Sequence, residues 1–289
     1  MNDTQNLNNN SNQNKNMNKN PHKKKQHTTL PKDHPRYDSL TYRHKIIQGM
    51  NDLVVAEAGL IAHGRGECFD YILGEKTNES AHQALKTAVA ALLLAKKPVI
   101  SVNGNVAALI PEQLVQLSQE INAPLEINLF YRKKGRIKAI QNYLEDAGAK
   151  KILGLDESKM VQIEELSSNR RLVDPHGIKI ADVVLVPLED GDRTEALKQL
   201  GKTVIAIDLN PLSRTSLYAD ITIVDNVIRT IPLMIQYAQE LKDHSEERLE
   251  KLVQTFNNRR NIQNCLDLII QYIKEQKRSL QNSKKPTMH

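Results

Sequence analysis

The chain has 289 residues and a formal net charge of +6. That length can bury a core without disulfide staples, and the charge taken alone suggests a nucleic-acid or membrane-surface partner. The charge is terminal, however: Lys15, Lys19, Lys23, Lys24 and Lys25 against Asp3 in residues 1–30, and Lys277, Arg278, Lys284 and Lys285 against Glu275 in residues 275–289, leave a near-neutral body and exclude a polyanion partner on this ground.

Residues 1–30 are dominated by asparagine and are expected to form a disordered Asn/Lys-rich tail. An α/β body over 31–275 follows, and a polar tail over 276–289 closes the chain. A helix is predicted over 40–59, leading into GLIAHGRGECFDYILGE at 59–75. There His63, Gly64, Arg65 and Gly66 read as a flexible anion-binding loop. Glycines let backbone amides approach an oxyanion, and the Arg65 guanidinium offers a planar fork to phosphate or carboxylate. His63 reads as a donor to phosphate, as an acid or base, or as a satisfied loop histidine. Arg43, on the preceding helix, is either a site cation or a surface one.

Beyond this segment, β-branched runs alternate with helical periodicity. Strands are predicted at 98–102, 125–130, 150–155, 182–188, 203–208 and 221–225, with helices at 79–97, 111–122, 135–148, 192–201 and 227–242 and a further helical pattern to about 275. Most of the strands lack a polar face, so they are covered on both sides. The fold class is α/β: a Rossmann-like, open, mostly parallel sheet with helices on both faces, plus C-terminal helices. Residues 156–179 are polar and aperiodic and receive no assignment.

In such sheets ligands bind beyond the carboxyl ends of the strands. The strand ends here carry Asn103 and Asn105, Tyr131 and Arg132, residues 189–193 with Asp190, Asp192 and Arg193, residues 209–215, and residues 226–229. Each alone is ordinary turn chemistry; together, several with arginine, they outline a site. Asp208 closes the fifth strand and suits a ribose or a metal. The dinucleotide fingerprint fails because residue 69 is phenylalanine, and Leu200–Thr203 imitates a P-loop only at its end. Cys68 and Cys265 match no metal spacing and indicate a reducing compartment; no apolar run reaches about 20 residues and no signal-peptide core is present, so a cytoplasmic protein is expected, with no membrane and no nucleic acid as partner.

The segments HPRYDSLTYRHKIIQGM (34–50), AGLIAHGRGECFDYILGE (58–75), PVISVNGNVAALIP (98–111), EINLFYR (126–132), ADVVLVPLEDGDRTEAL (181–197) and DLNPLSRTSLYADITIVDN (208–226) together resemble the archaeal phosphopantothenate synthetase family, also called 4-phosphopantoate:β-alanine ligase. The resemblance covers about residues 31–275. It implies a homodimeric cytosolic enzyme of coenzyme A synthesis that joins 4-phosphopantoate to β-alanine, consumes ATP, releases AMP and diphosphate, and proceeds through an acyl-adenylate. By motif, its nucleotide contacts fall on Arg43, Arg65, Asp208, Leu209, Asn210, Arg214, Thr215, Asn226 and Val227. The chemistry brings a phosphate monoester, a triphosphate and a carboxylate into one pocket, so Mg²⁺ is expected beside the arginines. On that basis Arg65 bridges the anions and His63 polarises the α-phosphate. Asn103 and Asn105 orient pantoate, Arg132 and Arg193 are substrate cations, and Asp190 or Asp192 takes the metal or the β-alanine ammonium. The alternative is a Rossmann-like nucleotide or sugar-phosphate enzyme of another class.

Overall fold

In a computed structural model, β-branched segments with both faces buried form the centre of the molecule. The structure describes residues 31–34, 36–163, 171–188 and 191–282. The chain divides into two units, Met1–Tyr37 and Asp38–His289. In the first, the described residues form a turn, with the His34 N–H donating to the Pro31 carbonyl at 3.1 Å.

The second unit is built on six parallel strands: β1 (Pro98–Val102), β2 (Leu125–Ile127), β3 (Ile152–Leu153), β6 (Val183–Pro187), β7 (Thr203–Ile207) and β8 (Ile221–Ile223), in the order β3-β2-β1-β6-β7-β8. Between β3 and β6, β4 (Val161–Gln162) and β5 (Leu172–Val173) pair antiparallel, within the stretch that carries no assignment from sequence. Strand order reverses between β1 and β6, whose partners are Pro98 with Val183, Val99 with Val184 and Ile100 with Leu185. The alternation of a strand sends successive side chains to opposite faces. Ile100, Leu185, Ile205 and Ile207 enter one core and Val99, Val184, Val204 and Ala206 the other.

The larger core is covered by α3 (Glu79–Leu94), α5 (Pro111–Glu120), α6 (Arg136–Asp146) and α9 (Val227–Leu241), and by α10 (Glu246–Gln254) packed on α3. The smaller is covered by α7 (Gly191–Gln199) and α8 (Arg214–Tyr218). Local chemistry sets these boundaries. The Asn78 side chain caps α3 by accepting from the Ala81 N–H at 2.9 Å, an interaction worth about 1 kcal/mol. Pro111 stands at the first turn of α5, and Gly148 and Gly201, at φ +96° and +73°, close α6 and α7 in the left-handed conformation that glycine tolerates.

The predicted helix over 40–59 is two helices, α1 (Tyr37–Asn51) and α2 (Glu57–Leu73). Between them the Val54 and Val55 N–H groups both donate to the Gly49 carbonyl, at 2.8 and 2.9 Å. Both valines are buried, and drawing them into the core turns the chain. The HGRG segment is accordingly no flexible loop: it lies inside α2, where the peptide N–H groups belong to the helix. Two glycines each cost such a helix about 1 kcal/mol. Docking and capping outweigh that cost. Gly74 ends α2 at φ +83°, the Glu75 N–H returns to the Asp70 carbonyl at 3.0 Å, and α2 packs on α11 (Asn258–Asn282) around Leu73, Cys265 and Ile269. Gly59 is needed for packing, since a Cβ there would fall 2.3 Å from Asn105 Oδ1.

Candidate active site

Beyond the carboxyl ends of β1, β6 and β7 opens a cavity of about 580 Å³, roofed by α2. It lies where the strand order reverses, the place at which open α/β sheets bind ligands.

Helix α2 contributes His63, Arg65, Gly66 and Glu67. His63 is half-buried and its Nε2 has no hydrogen-bond partner among the described residues. Burial pushes its pKa below the ordinary imidazole value; Glu67 opposes that shift and Arg43 adds to it. The ring is therefore neutral near pH 7. Arg43 itself does not reach the cavity: its Nε donates to Glu67 Oε2 at 3.0 Å, so it acts on the site through Glu67.

The β1–α4 junction contributes Asn103 and Asn105, with α4 running Gly104–Leu109. Both asparagines line the cavity and both also hold structure. Asn103 Oδ1 caps α4 by accepting from the Val106 N–H at 3.1 Å, and Asn105 Nδ2 donates to the Gly59 carbonyl at 2.8 Å, tying α4 to α2. Across the crevice, Asp208, Leu209 and Asn210 follow β7. Asp208 accepts from the Asn210 N–H at 2.9 Å and from the Ser213 hydroxyl, which folds this loop into a fixed turn.

Arg214 reaches the cavity wall from α8 and bridges Asp192 and Glu195 on α7, each at 2.7 Å. Asn226 and Val227 open α9. Asn226 Nδ2 donates to Asp70 Oδ2 at 2.7 Å, and Arg229 spans Asp70 and Asp225 at 2.6 Å each. This partly buried network locks the end of α2 to the start of α9, and the spacing of Asp70 and Arg229 in sequence carries no sign of it.

Three expected site residues stand behind the wall. Thr215 is fully buried, and Arg132 turns to Glu157 Oε1 at 3.1 Å and the Leu172 carbonyl at 3.3 Å. Arg193 lies beneath the floor, donating to Ser101 Oγ and to Asn128 Oδ1 at 3.0 Å. Burial lowers its pKa to about 10, with Glu126 opposing the shift. Asp190 lies outside the described residues. In return the cavity includes Phe130, Tyr131 and Arg136, of which Phe130 and Arg136 are not among the residues expected from sequence. In the sequence Arg136 is one cation among Arg132, Lys133, Lys134 and Lys138, and nothing in that run distinguishes it.

The comparisons with known proteins bear on this geometry. A family model described as phosphopantothenate/pantothenate synthetase matches residues 80–272. The chain belongs to that family. A 4-phosphopantoate–β-alanine ligase of Thermococcus kodakarensis is 54% identical over 238 residues, 82% of this chain and 90% of that one. The protein of the same name from Methanosarcina mazei is 51% identical over 247 residues, 86% and 96% of the two chains, and that of Methanospirillum hungatei is 49% identical over 212 residues, 73% and 86%. The span matched by the phosphopantothenate/pantothenate synthetase model includes every strand, along with Asn103, Asn105, Asp208–Asn210, Arg214 and Asn226. Helix α2 lies ahead of it.

Proposed function

We propose that the chain is a 4-phosphopantoate–β-alanine ligase, which uses ATP to make 4'-phosphopantothenate, AMP and diphosphate in coenzyme A biosynthesis. The observation that carries this reading is the 49–54% identity to relatives of that name over most of both chains.

The chemistry has two steps. A carboxylate oxygen of 4-phosphopantoate attacks the α-phosphorus of ATP, the α–β phosphoanhydride bond breaks, and diphosphate leaves. The β-alanine amine then attacks the acyl carbon and AMP departs with the bonding pair. Two anions 5 Å apart repel by about 3 kcal/mol per pair of unit charges at an effective dielectric near 20. Offsetting this is the work of the site. Arg65, projecting from α2 into the cavity, bridges triphosphate and carboxylate, and Arg214 supports the phosphates once they compete for it with Asp192 and Glu195. Asp208–Asn210 and Asn226–Val227 hold the nucleoside. Asn103 and Asn105 face pantoate, and Asp192 suits the β-alanine ammonium by charge.

That ammonium must lose a proton before its nitrogen can attack. His63, neutral and with Nε2 unpartnered among the described residues, is assigned as the acceptor. This role fits a depressed pKa better than polarising the α-phosphate, for which a cationic ring would serve more strongly. Among the described residues no group of three or more His, Cys, Asp or Glu side chains could hold a metal ion. Mg²⁺ would enter with the ATP phosphates as part of that substrate, an arrangement that needs no more than one or two protein carboxylates. A homodimer in the cytoplasm completes the reading; no helix among the described residues is long and apolar enough to cross a membrane.

Phosphorus NMR of the protein with ATP, 4-phosphopantoate and β-alanine tests the route. AMP and diphosphate are expected to accumulate together. ADP and inorganic phosphate would instead place activation at the γ-phosphate and discard the adenylate.

A further inference from the structure

Arg136, the first residue of α6, is only 6% exposed, yet it lines the cavity. Its Nε and Nη2 donate to the Val54 carbonyl at 3.3 and 2.9 Å, and its Nη1 to the Tyr131 carbonyl at 2.5 Å. All three bonds go to neutral acceptors. Arg43, Arg132, Arg214 and Arg229 each have a carboxylate within 3.1 Å, whereas no carboxylate pairs with Arg136 among the described residues. A guanidinium carries five N–H donors, so one on each terminal nitrogen remains uncommitted. The carbonyls also fix the plane of the fork. Gly104 makes room for it, since a Cβ there would lie 2.5 Å from Nη2. Burial lowers the pKa of the group, and no acidic neighbour opposes the shift. A buried cation without a counter-ion is costly unless an anion joins it.

The position of Arg136 identifies that anion. Val54, Gly104 and Tyr131 converge on the β1–β2 side of the crevice, whereas Asp208–Asn210 and Asn226–Val227 follow β7 and β8 on the other. An acid whose carboxylate must meet the α-phosphate of ATP near the middle puts its far terminus at the β1–β2 end. In 4-phosphopantoate that terminus is the phosphate ester.

We propose that Arg136 is the anchor for the phosphate ester of the acid substrate and the residue that separates phosphorylated from unphosphorylated pantoate, a proposal that rests on the ligase reading. Two N–H groups presented to a dianion, on a fork already oriented, are the bidentate arrangement that favours phosphate over a hydroxyl.

The test compares wild type with Arg136→Met and Arg136→Lys. Charge-assisted hydrogen bonds of this kind are worth roughly a 10- to 100-fold change in affinity. Arg136→Met is expected to raise KM for 4-phosphopantoate by about that factor, with KM for ATP within about threefold of wild type. Arg136→Lys, which keeps the charge and loses the fork, should fall between. On pantoate without its phosphate the variants and wild type should differ little. An unchanged KM for 4-phosphopantoate, or an equal loss on pantoate, overturns the proposal. Should Arg136→Met fail to fold, as judged by ligand-free melting, Arg136→Lys decides the matter by the same ratio. A second arm needs no turnover: inorganic phosphate alone should raise the melting temperature of wild type more than that of Arg136→Lys. Equal stabilisation of both sinks the assignment. If wild type makes no product, the ligase reading falls and the substrate assignment with it, while the phosphate arm still decides whether Arg136 holds a phosphate.

Discussion

His63 and Arg136 are both set by what surrounds them more than by residue type. The imidazole is half-buried beside Glu67 and Arg43, and desolvation outweighs the carboxylate, so the neutral form persists to lower pH than for a free histidine. If His63 takes the β-alanine proton, kcat/KM for β-alanine should stay level from pH 8 down through the ordinary histidine range and fall only below it. His63→Gln should remove that acid limb and lower the rate by about 10²- to 10⁴-fold. A limb at or above the ordinary histidine pKa, or a near-normal variant, would remove the assignment. Sequence pattern locates His63 and Arg65 at the site because a cation and a titratable ring among two glycines are unusual. It does not separate Arg136 from the basic run around it, because the distinguishing feature, burial against neutral carbonyls, exists only after folding.

At the level of elements, the six strands are legible because most lack a polar face; the structure keeps β1 at its predicted bounds and trims the other five by one to four residues. Helix α2 reads as a loop in sequence on the strength of its glycines. The two do different things. A Cβ at Gly64 would meet nothing within 4 Å, and one at Gly66 would meet only Leu209 Cδ1, at 3.4 Å, but would stand in the cavity. Nothing in the folded chain therefore requires glycine at either position. Gly64→Ala and Gly66→Ala should each stabilise α2 by about 0.5–1 kcal/mol, seen as a melting temperature higher by a few degrees. Only Gly66→Ala should weaken substrate binding, measured as KM for ATP and 4-phosphopantoate. Equal effects on KM would mean that α2 contributes through flexibility and not through space.

For the molecule as a whole, the α/β class is legible in the sequence and the strand order is not, because the jump from β3 to β6 beside β1 depends on the intervening segment. Residues 156–179 look featureless in part because their organiser lies elsewhere in the chain. Glu126, on β2 and fully buried, accepts from the Asp174 N–H at 3.0 Å and the Ile178 N–H at 2.6 Å. Gly177 sits against it, where a Cβ would be 2.0 Å from Oε2. Burial raises the Glu126 pKa to about 7, opposed by those two N–H groups and by Arg193. A raised folded-state pKa means that the native state holds the proton longer than the unfolded chain. Its contribution to stability is fully present below the unfolded value and is lost as pH rises through about 7. That loss is on the order of 3 kcal/mol. Urea unfolding between pH 4.5 and 8 should show the decline in wild type and not in Glu126→Gln; parallel profiles would show that Glu126 titrates normally.

The seam between β1 and β6 acts as the joint of a pair of callipers. One jaw carries Asn103, Asn105 and Arg136, the other Asp208–Asn210 and Arg214, and the pivot is the hydrogen-bonded edge from Pro98 opposite Val183 to Ile100 opposite Leu185. Repacking around Ile100 or Leu185 would leave each jaw intact and alter the gap between them. A misplacement of about 1 Å can cost 100-fold in rate. Core residues that touch no substrate would thereby govern how closely a carboxylate is brought to phosphorus.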